Sequence, residues 1–329
     1  MSWKTQNSRR PELEALEVNA PEGYIGNRLY PKETVAQKTG TIYYTPAGSK
    51  ITAQQGRDPK TGALNRNFFG SANKTYSTTN VEARIAIPRD EVAQFGGVDA
   101  ADQHGAKAVK RAVLAKHEAA AAAAATAGEA VTVSEGTFFS AVRTACKALK
   151  PYSGTLVLVM SLEAYGKVLD FKEVRERLSF QGGSVLDREA LESLKPEVLK
   201  DMLQNVFAVK EILIGDDEFW PANKIVVAKL PSTEPLSYKL APELGKTVAY
   251  ATDGVEVCEI ETAANTDLLV NDYTAIAYSQ IVEFNEGARQ VLQLSEAAPD
   301  ADNGDSEAAP DADNGDSEAA PDADNGEEE

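Results

Sequence analysis

Hydrophobic residues are sparse along one long stretch of the chain, between residues 45 and 80, which is rich in Gly, Ser, Thr, Asn, Gln and Lys. Before it, segment 41–44 predicts a rising strand. After it, segment 81–87 has apolar residues at every second position until Pro88, which predicts a returning strand. Such a polar stretch cannot bury a core of its own, and ordered loops of this length are usually functional. The pattern predicts an extended two-stranded arm over residues 38–88.

The predicted arm is long enough to reach other molecules. An extended limb of ~20 residues spans on the order of 60 Å, which a monomer does not need. Between residues 50 and 74, five cations are opposed by Asp58 alone. This region is either a solvated loop tip or a surface that contacts acidic patches on adjacent subunits, and we favour the second. The predicted inter-subunit contact residues are Lys50, Arg57, Lys60, Arg66, Phe68, Phe69 and Lys74.

An alanine-rich segment with helical periodicity follows the arm. Asp99 is predicted as its N-cap, with Asp102 in the first turn, where the helix dipole favours an acid. Run 119–125 is entirely alanine, the best helix former, and Gly128 is a C-terminal stop. One face collects Ala106, Val109, Val113 and Ala120. About 28 residues at 1.5 Å each make a rod of roughly 42 Å, whose thin alanine side should pack against a sheet or a neighbouring chain.

The rest of the body combines buried strands with amphipathic helices, and then continues as strands alone. Segment 156–160 is a continuous apolar run, typical of a strand buried on both faces, and Ser161 follows it as a helix cap. From Lys246 onward, strand patterns succeed one another, with Asp253-Gly254 as a turn signal. Further helices are predicted at 11–17, 138–149, 162–169, 173–178 and 196–203, and further strands at 209–215, 225–228, 255–260, 268–270 and 275–284.

The net charge of −18 is concentrated at one end of the chain. Residues 295–329 contain 14 Asp or Glu and no Lys or Arg, whereas the rest carries 33 Lys and Arg against 37 acids, a net charge of −4. The acidic end is an eleven-residue repeat starting at Ser295, Ser306 and Ser317. Its low hydrophobicity and single-sign charge predict disorder. The body is therefore not a nucleic-acid-binding surface by bulk charge.

Motifs for catalysis and ligand binding are incomplete. The histidines His104 and His117 lie on the predicted long helix as solvated or interface residues, so a Ser-His-Asp site is not expected. Gly245-Lys246-Thr247 has Leu240 where a phosphate loop needs glycine, and a strand pattern follows it. Segment 300–305 has its glycine at position five, not six, of a calcium loop. We predict no catalytic residue, no cofactor and no metal site.

The cysteine and hydropathy patterns predict that the protein is assembled in the cytosol. Cys146 and Cys258 form no CxxC pair, and we interpret them as reduced thiols of a protein assembled in the cytosol. No run of 18 apolar residues predicts a membrane span. Residues 1–4 lack the apolar segment of a secretory signal.

The order of these parts resembles the tailed-phage major capsid proteins of the HK97 fold, over roughly residues 18–292. Segment 22–31, Glu-Gly-Tyr-Ile-Gly-Asn-Arg-Leu-Tyr-Pro, is similar to the segment before the extended loop of those proteins. Segment 38–44, Lys-Thr-Gly-Thr-Ile-Tyr-Tyr, is similar to the rising strand of that loop. Further similarities are to the spine helix at 99–127, to the first axial strand and helix at 154–158 and 162–169, to a later axial strand at 209–215, and to the peripheral sheet after 246.

The resemblance implies an α+β fold of the HK97 type. The implied parts are an N-terminal arm (1–37), an extended β-hairpin loop (38–88), a peripheral-domain spine helix (89–130), an axial domain (131–245), peripheral-domain strands (246–294) and a disordered acidic tail (295–329). The alanine side of the spine helix is then expected to pack against the peripheral sheet.

The implied function is structural, with no enzymatic activity. Hexamers and pentamers of the chain would form an icosahedral shell that encloses double-stranded DNA without reading its sequence. A separate scaffolding protein and a portal are implied, with assembly in the host cytoplasm and a final location in the virion. Some family members crosslink a lysine to an asparagine on a neighbour, which would implicate Lys60 or Lys74 with Asn265 or Asn271.

Three alternatives stay open beside this interpretation. The tail is expected on the outer face of the shell, because 14 carboxylates per copy would repel packaged DNA, but an interior tail bound to a basic scaffold is possible. An encapsulin-like compartment shell would share the fold. An α/β enzyme with a long lid arm is the third alternative.

Overall fold

The fold of the chain is mixed α+β, as the sequence predicts. The computed structural model describes residues 8–49, 71–180, 196–252, 255–265 and 269–295. The predictions for the Asp253-Gly254 turn and for the tail from residue 296 onward lie outside the described residues.

The strands are β1 (Ser8–Arg9), β2 (Lys32–Val35), β3 (Thr39–Tyr44), β4 (Ala72–Ser77), β5 (Thr79–Pro88), β6 (Ala130–Val133), β7 (Thr155–Ser161), β8 (Glu211–Gly215), β9 (Lys224–Leu230), β10 (Gly245–Thr252), β11 (Val255–Glu256), β12 (Cys258–Asn265), β13 (Val270–Glu283) and β14 (Arg289–Leu294). The helices are α1 (Pro11–Glu14), α2 (Gly26–Leu29), α3 (Val98–Ala125), α4 (Phe138–Ala148), α5 (Leu162–Asp170), α6 (Lys172–Phe180) and α7 (Pro196–Phe207).

The described residues form a seven-stranded sheet, called here the large sheet, around the long strand β13. Residues 270–277 of β13 pair antiparallel with β12 on one edge and with β5 on the other. The end of β13 pairs with β10, and β10 pairs in parallel with β2. Residues 270–274, most of which the sequence does not predict as strand, continue the strand predicted at 275–284, so that β13 runs from Val270 to Glu283. Within it, the polar Asp272 is held by an ion pair with Arg84 of β5.

A five-stranded sheet in the order β6-β14-β9-β7-β8, called here the small sheet, forms the second layer. Strand β7 confirms the prediction of a strand buried on both faces. Leu158 and Met160 lie in the core that the small sheet shares with α4, α5, α6 and α7. Val157 and Val159 lie in the core on the opposite face. The helix predicted after Ser161 is also confirmed, since the Ser161 hydroxyl accepts a hydrogen bond from the Ala164 N–H.

Helix α3 is a 28-residue rod that contacts the cores of both sheets. In its first half, Gly105 lies so close to the Tyr273 ring of β13 that a Cβ atom would stand 2.6 Å from it. In its second half, Ala121, Ala122 and Ala125 belong to the core of the small sheet, together with Val157 and Trp220. The prediction that the alanine side packs against the large sheet therefore holds for Ala106 and is wrong for Ala121, Ala122 and Ala125. A rod of roughly 42 Å extends past one sheet and reaches the next.

The ends of α3 differ in part from the sequence predictions. The N-cap is Gly97, and Asp99 lies in the first turn. Asp102 is buried, accepting hydrogen bonds from the Tyr273 hydroxyl at 2.7 Å and from Arg10 at 3.2 Å. Ala120, predicted on the buried face, is exposed. The helix ends at Ala125 with Thr126 as its C-cap. Gly128, predicted as the stop, lies two residues beyond that cap, with a left-handed φ of 88°.

The returning limb of the arm is β4, and the prediction that it is segment 81–87 is wrong. Strand β3 pairs antiparallel with β4, whereas β5 pairs with β13 in the large sheet. The alternation in 81–87 correctly identified a strand. Its apolar face, with Ala83 and Ile87 buried, belongs in a core rather than on a solvated arm. From here on, the arm means residues 39–77.

The last strand, β14, lies in the small sheet. It pairs in parallel with β6 and antiparallel with β9. The sequence pattern predicts a last strand that ends near Phe284, and the resemblance groups 246–294 with the peripheral strands. The structure corrects the placement of Arg289–Leu294. Val291, Leu292 and Leu294 are buried there, and the chain therefore returns to the small sheet before the tail begins.

The packing of the alanine run can be tested by enlarging one side chain. Ala121→Leu is expected to lower the free energy of unfolding by roughly 1–3 kcal/mol, because overpacking a filled core strains it. Ala121 is fully buried beside Gly26, where a Cβ atom would already stand 2.7 Å from that of Ala121. Ala123→Leu, at an exposed position of the same run, should change it by less than ~0.5 kcal/mol. Equal urea-unfolding curves for the two variants would contradict this packing.

Candidate functional site at the root of the arm

Lys74 is the one predicted contact residue that lies among the described residues. It is on β4, and its ammonium group stands 3.6 Å from the Glu286 carboxylate of the same chain. Both side chains are exposed, at 36% and 73%, so this ion pair contributes little to stability. The remaining predicted contact residues, Lys50, Arg57, Lys60, Arg66, Phe68 and Phe69, lie outside the described residues.

An aromatic cluster fixes the arm to the body. On β3, Ile42 is buried and Tyr44 is partly buried, while Tyr43 between them is exposed. Tyr44 stacks on Phe284, with ring centroids 5.4 Å apart, and Phe284 in turn contacts Tyr238 at 4.7 Å. The alternation of β3 therefore places one face of the arm on the end of the large sheet, in the cluster that also contains Tyr76, Val248 and Val282.

Hydrogen bonds hold the chain where it leaves β3. The Thr45 N–H donates to the Tyr238 carbonyl oxygen at 2.9 Å, and the Thr45 hydroxyl donates to that of Lys239 at 2.9 Å. The buried Asn285 side chain donates to the carbonyl oxygens of Thr45 and Glu243, and it accepts from the Ala47 N–H at 2.9 Å. These bonds set the direction in which the arm departs.

The returning limb is fixed at its lower end as well. The Thr78 N–H donates to the Lys38 carbonyl oxygen at 2.8 Å, and the Ser77 N–H donates to the side-chain oxygen of Gln280 at 2.8 Å. Gly40 faces the Tyr76 ring, and a Cβ atom there would stand 2.7 Å from the phenol oxygen. Both strands of the arm are therefore anchored by the body before residue 50 and after residue 70.

A buried carboxylate, Glu118, ties α3 to the start of α2 and to the segment that carries Trp220. Its side chain is 2% exposed. It accepts hydrogen bonds from the backbone N–H groups of Ile25 and Gly26, at 2.9 and 2.8 Å, and from the Trp220 indole at 2.9 Å. The negative charge stands at the start of α2, where two free N–H groups favour an anion. No local pattern in the sequence marks Glu118, because its partners lie 92 to 102 residues away.

His117 is buried, so its interpretation as a solvated or interface residue is wrong for the isolated chain. Its Nε2 lies 3.0 Å from the Thr247 hydroxyl, and that hydroxyl donates to the Tyr30 carbonyl oxygen at 2.9 Å. Because the Thr247 hydroxyl uses its proton in the bond to Tyr30, its oxygen accepts the hydrogen bond from His117. The neutral imidazole therefore carries its proton on Nε2. Burial, with a contribution from the positive charge of Lys32, lowers the pKa of His117 to about 4. His104, by contrast, is exposed and packs on Phe95.

The buried histidine predicts a loss of stability in acid. In the unfolded chain His117 has a pKa near 6.5 and in the folded chain about 4, so protonation favours unfolding as pH falls from 6.5 towards 4. A stability loss of about 2–3 kcal/mol from this residue is expected between roughly pH 7.5 and pH 4.5. Urea unfolding should show a correspondingly weaker pH dependence for His117→Gln than for His104→Gln. The same dependence in both variants would refute the assignment.

A second buried network joins the two sheets. Arg289, the first residue of β14, donates to both carboxylate oxygens of Glu283, the last residue of β13, at 2.8 and 3.1 Å. The Tyr30 hydroxyl donates to the same carboxylate at 2.7 Å, and Arg289 also donates to the Ala127 carbonyl oxygen after α3. Burial and the Glu283 charge raise the pKa of Tyr30 well above its usual value. The sheets are therefore linked by an arginine whose three nitrogen atoms each donate a hydrogen bond.

The glycine-lysine-threonine motif, which does not match a phosphate loop, is part of a strand in the structure. Gly245-Lys246-Thr247 begins β10, and the buried Lys246 ammonium donates to the Glu234 carbonyl oxygen at 2.9 Å.

Burial raises the pKa of both thiols, Cys146 and Cys258. Across the described ranges, no group of three or more His, Cys, Asp or Glu side chains is placed to hold a metal ion. In the same ranges, no helix is long and apolar enough to cross a membrane.

Comparison with known proteins relates this architecture to solved structures. No family model and no curated protein matches the sequence. A phage-related protein from Bordetella bronchiseptica RB50 is similar over 88% of this chain and 97% of its own, with 16% identity and a TM-score of 0.57. The capsid of a native GTA particle is similar over 86% and 94%, with 12% identity and a TM-score of 0.52. The capsid of cyanophage P-SCSP1u is similar over 86% and 92%, with 12% identity and a TM-score of 0.50. This chain has the fold of phage major capsid proteins.

Proposed function

We propose that this chain is the major capsid protein of a tailed phage, a structural subunit without enzymatic activity. Many copies close into an icosahedral shell around double-stranded DNA. The fold shared with two capsids supports a shell subunit. The observation that carries the proposal is the arm, because its two strands are anchored on a body that already has its own buried cores.

The length of the arm matches the needs of a shell. The chain leaves β3 after Tyr44 and enters β4 at Ala72. Half of the intervening residues, about 13 at roughly 3.3 Å each, can span on the order of 40 Å beyond the root. In a closed shell, every subunit has neighbours within that distance. We assign the arm cations and the two phenylalanines predicted from the sequence to contacts with those neighbours. Lys74 is expected to contribute less to these contacts, because it already pairs with Glu286 of its own chain.

The two sheets suggest the domains of an HK97-type subunit. The large sheet with the first half of α3 fits a peripheral domain, and the small sheet with α4 to α7 fits an axial domain. Strand β14 then belongs to the axial domain rather than to the peripheral strands. Residues 1–37 remain assigned to the N-terminal arm and 295–329 to an acidic tail on the outer face. The extended loop is narrowed to the arm, residues 39–77, and β5 (Thr79–Pro88) is assigned to the peripheral domain with the large sheet.

The proposed partners are other copies of the chain, in hexamers and pentamers, together with a separate scaffolding protein and a portal. Assembly takes place in the host cytoplasm, and the final location is the virion. The DNA is enclosed without sequence-specific contacts, consistent with the body's net charge of only −4.

Electron microscopy of particles purified from expressing cells, with analysis of their nuclease-protected content, tests the proposal. Closed icosahedral shells that take up double-stranded DNA when the packaging components are present are expected. Shells that contain protein cargo would identify an encapsulin-like compartment instead. A small soluble oligomer under all assembly conditions would overturn a shell function altogether.

A further inference from the structure

Helix α4 and the turn that follows it carry cations but no acid. Between Glu135 and Glu163, the charged residues of the sequence are Arg143, Lys147 and Lys150. Their spacing of four and three residues places the three side chains on one side of the helix, and all three are exposed. This group of three is called here the α4 stripe. It forms a cationic surface along the helix.

The α4 stripe has no part in the packing of the helix. The opposite side of α4 lies in the core of the small sheet, through Phe138, Val142, Ala145 and Leu149. The helix dipole favours cations near a helix C-terminus, where Lys147 lies. The dipole does not explain why acids are absent from the rest of the exposed side. The stripe therefore has no structural role that requires it.

The neighbouring helices balance their charges, unlike α4. On α5, Lys167 pairs with Glu163 at 2.9 Å, and on α6, Arg177 pairs with Glu173 at 3.9 Å, each pair one turn apart. Within the described ranges of the chain, no acid forms an ion pair with a member of the α4 stripe. Like charges one turn apart repel each other. An anion from outside the subunit would relieve that repulsion.

Two further cations flank the α4 stripe. The guanidinium carbon of Arg177 lies 3.9 Å from the ring centroid of Phe139, which is on α4. Lys229 of β9 continues the strand face on which Val227 joins the core beneath α4, because alternate residues of a strand share a face. The cationic surface therefore extends from the helix onto both of its neighbours.

We propose that the α4 stripe binds phosphates of the double-stranded DNA inside the shell, so that α4 belongs to the inner wall. This inference rests on the proposed function, since it specifies where the subunit meets the DNA. A duplex carries one negative charge per 1.7 Å of its axis. The stripe covers seven helical steps, or about 10.5 Å, so each of its cations can meet a phosphate.

Contacts of this kind fit an enclosed DNA better than another polyanion. Phosphate contacts carry no sequence information, as is required of a wall that meets every part of a packaged genome. The body has a net charge of −4, so its average surface repels DNA, and attraction has to come from local cationic surfaces. The acidic tail is the other polyanion of the chain, and its proposed place on the outer face leaves the inner wall to DNA.

Lysine acetylation of purified particles, followed by mass spectrometry, tests the contact. Lys147 and Lys150 should react at least roughly fivefold more slowly in DNA-filled particles than in DNA-free shells, because a phosphate-bound ammonium is shielded. Lys167 is the matched control, since it is exposed in the same layer but already paired with Glu163, and its rate should be equal in both particles. Equal rates at Lys147 and Lys150, or the same slowing at Lys167, overturn the inference and leave the shell function intact.

A charge-neutralised variant gives an independent readout. Arg143→Gln with Lys147→Gln and Lys150→Gln should form DNA-free shells in normal yield but, because the inner wall loses three cations, at least roughly fivefold fewer filled particles. The matched control, Arg143→Lys with Lys147→Arg and Lys150→Arg, keeps the charges and should package normally. Equal packaging by the two variants contradicts the inference. If the neutralised variant forms no shells, the acetylation rates of the unmutated particles decide.

Removal of residues 296–329 distinguishes the two polyanions. Slow acetylation of the α4 stripe that persists in filled particles without the tail supports DNA as the occupant. Slow acetylation that is present in DNA-free shells and is lost with the tail would assign the stripe to the tail and overturn the proposal. If the unmutated chain forms no shells, the proposed function falls, and this inference with it.

Discussion

Replacing residues 50–70 with a short glycine-serine linker is expected to abolish shell assembly and to leave the subunit folded. The root interactions involve residues 42–47 and 76–78, which the replacement retains. Shortening the connection between two paired strands changes its closure entropy only slightly, so the free energy of unfolding should change by less than ~0.5 kcal/mol. Particles, by contrast, lose the segment assigned to their inter-subunit contacts. Sedimentation and electron microscopy measure assembly, and calorimetry of the unassembled subunit measures stability.

A second variant separates the length of the arm from its sequence. Here residues 50–70 are permuted at constant length and composition, so that reach and net charge are retained. If specific residues such as Phe68 and Phe69 make the contacts, the permuted arm should also fail to assemble. Assembly of the permuted arm but not of the shortened one would restrict the role of the arm to reach and charge. Normal particles from the shortened arm would remove the main support for the shell proposal.

Local patterns in the sequence predicted the elements but not their partners. The buried strand β7 and the rod α3 stand out because their hydrophobic periodicities are long and regular. The alternation of 81–87 correctly predicted a strand, yet strand periodicity does not say which strand lies beside it. The error over the arm arose there, since β4, the true partner of β3, is polar and carries one buried aromatic residue, Tyr76.

The sequence predicts where along the chain the arm begins, but it does not predict which residues of the body hold the arm in place. Its contacts join Thr45 to Tyr238 and Asn285, about 190 and 240 residues apart, and no local pattern relates residues so distant. The alanine run shows a similar limit. Its helix propensity is evident from the sequence, but which sheet covers it depends on where the rod lies after the fold has closed.

Glu118→Leu is expected to be among the most destabilising single substitutions in the body, because it leaves three buried donors without an acceptor. These are the N–H groups of Ile25 and Gly26 and the indole N–H of Trp220. Each unsatisfied buried donor costs about 1–3 kcal/mol, so a loss of at least roughly 3 kcal/mol is expected from the three together. That is a large fraction of the 5–15 kcal/mol typical of a folded domain.

The effect should be specific to the buried carboxylate rather than to the loss of a glutamate. Glu163→Leu is the matched control, because Glu163 is an exposed helical residue whose carboxylate pairs with Lys167 one turn away, an interaction worth about 0.3–0.5 kcal/mol. Urea unfolding of the two variants should therefore differ by several kcal/mol, with a red-shifted indole emission from Trp220 in the Glu118 variant alone. Because α2 and the Trp220 loop both meet α3 at this carboxylate, its loss should loosen the N-terminal segment before the large sheet. Hydrogen exchange that accelerates uniformly across both sheets, rather than first at residues 25–30, would show that Glu118 has no such local role.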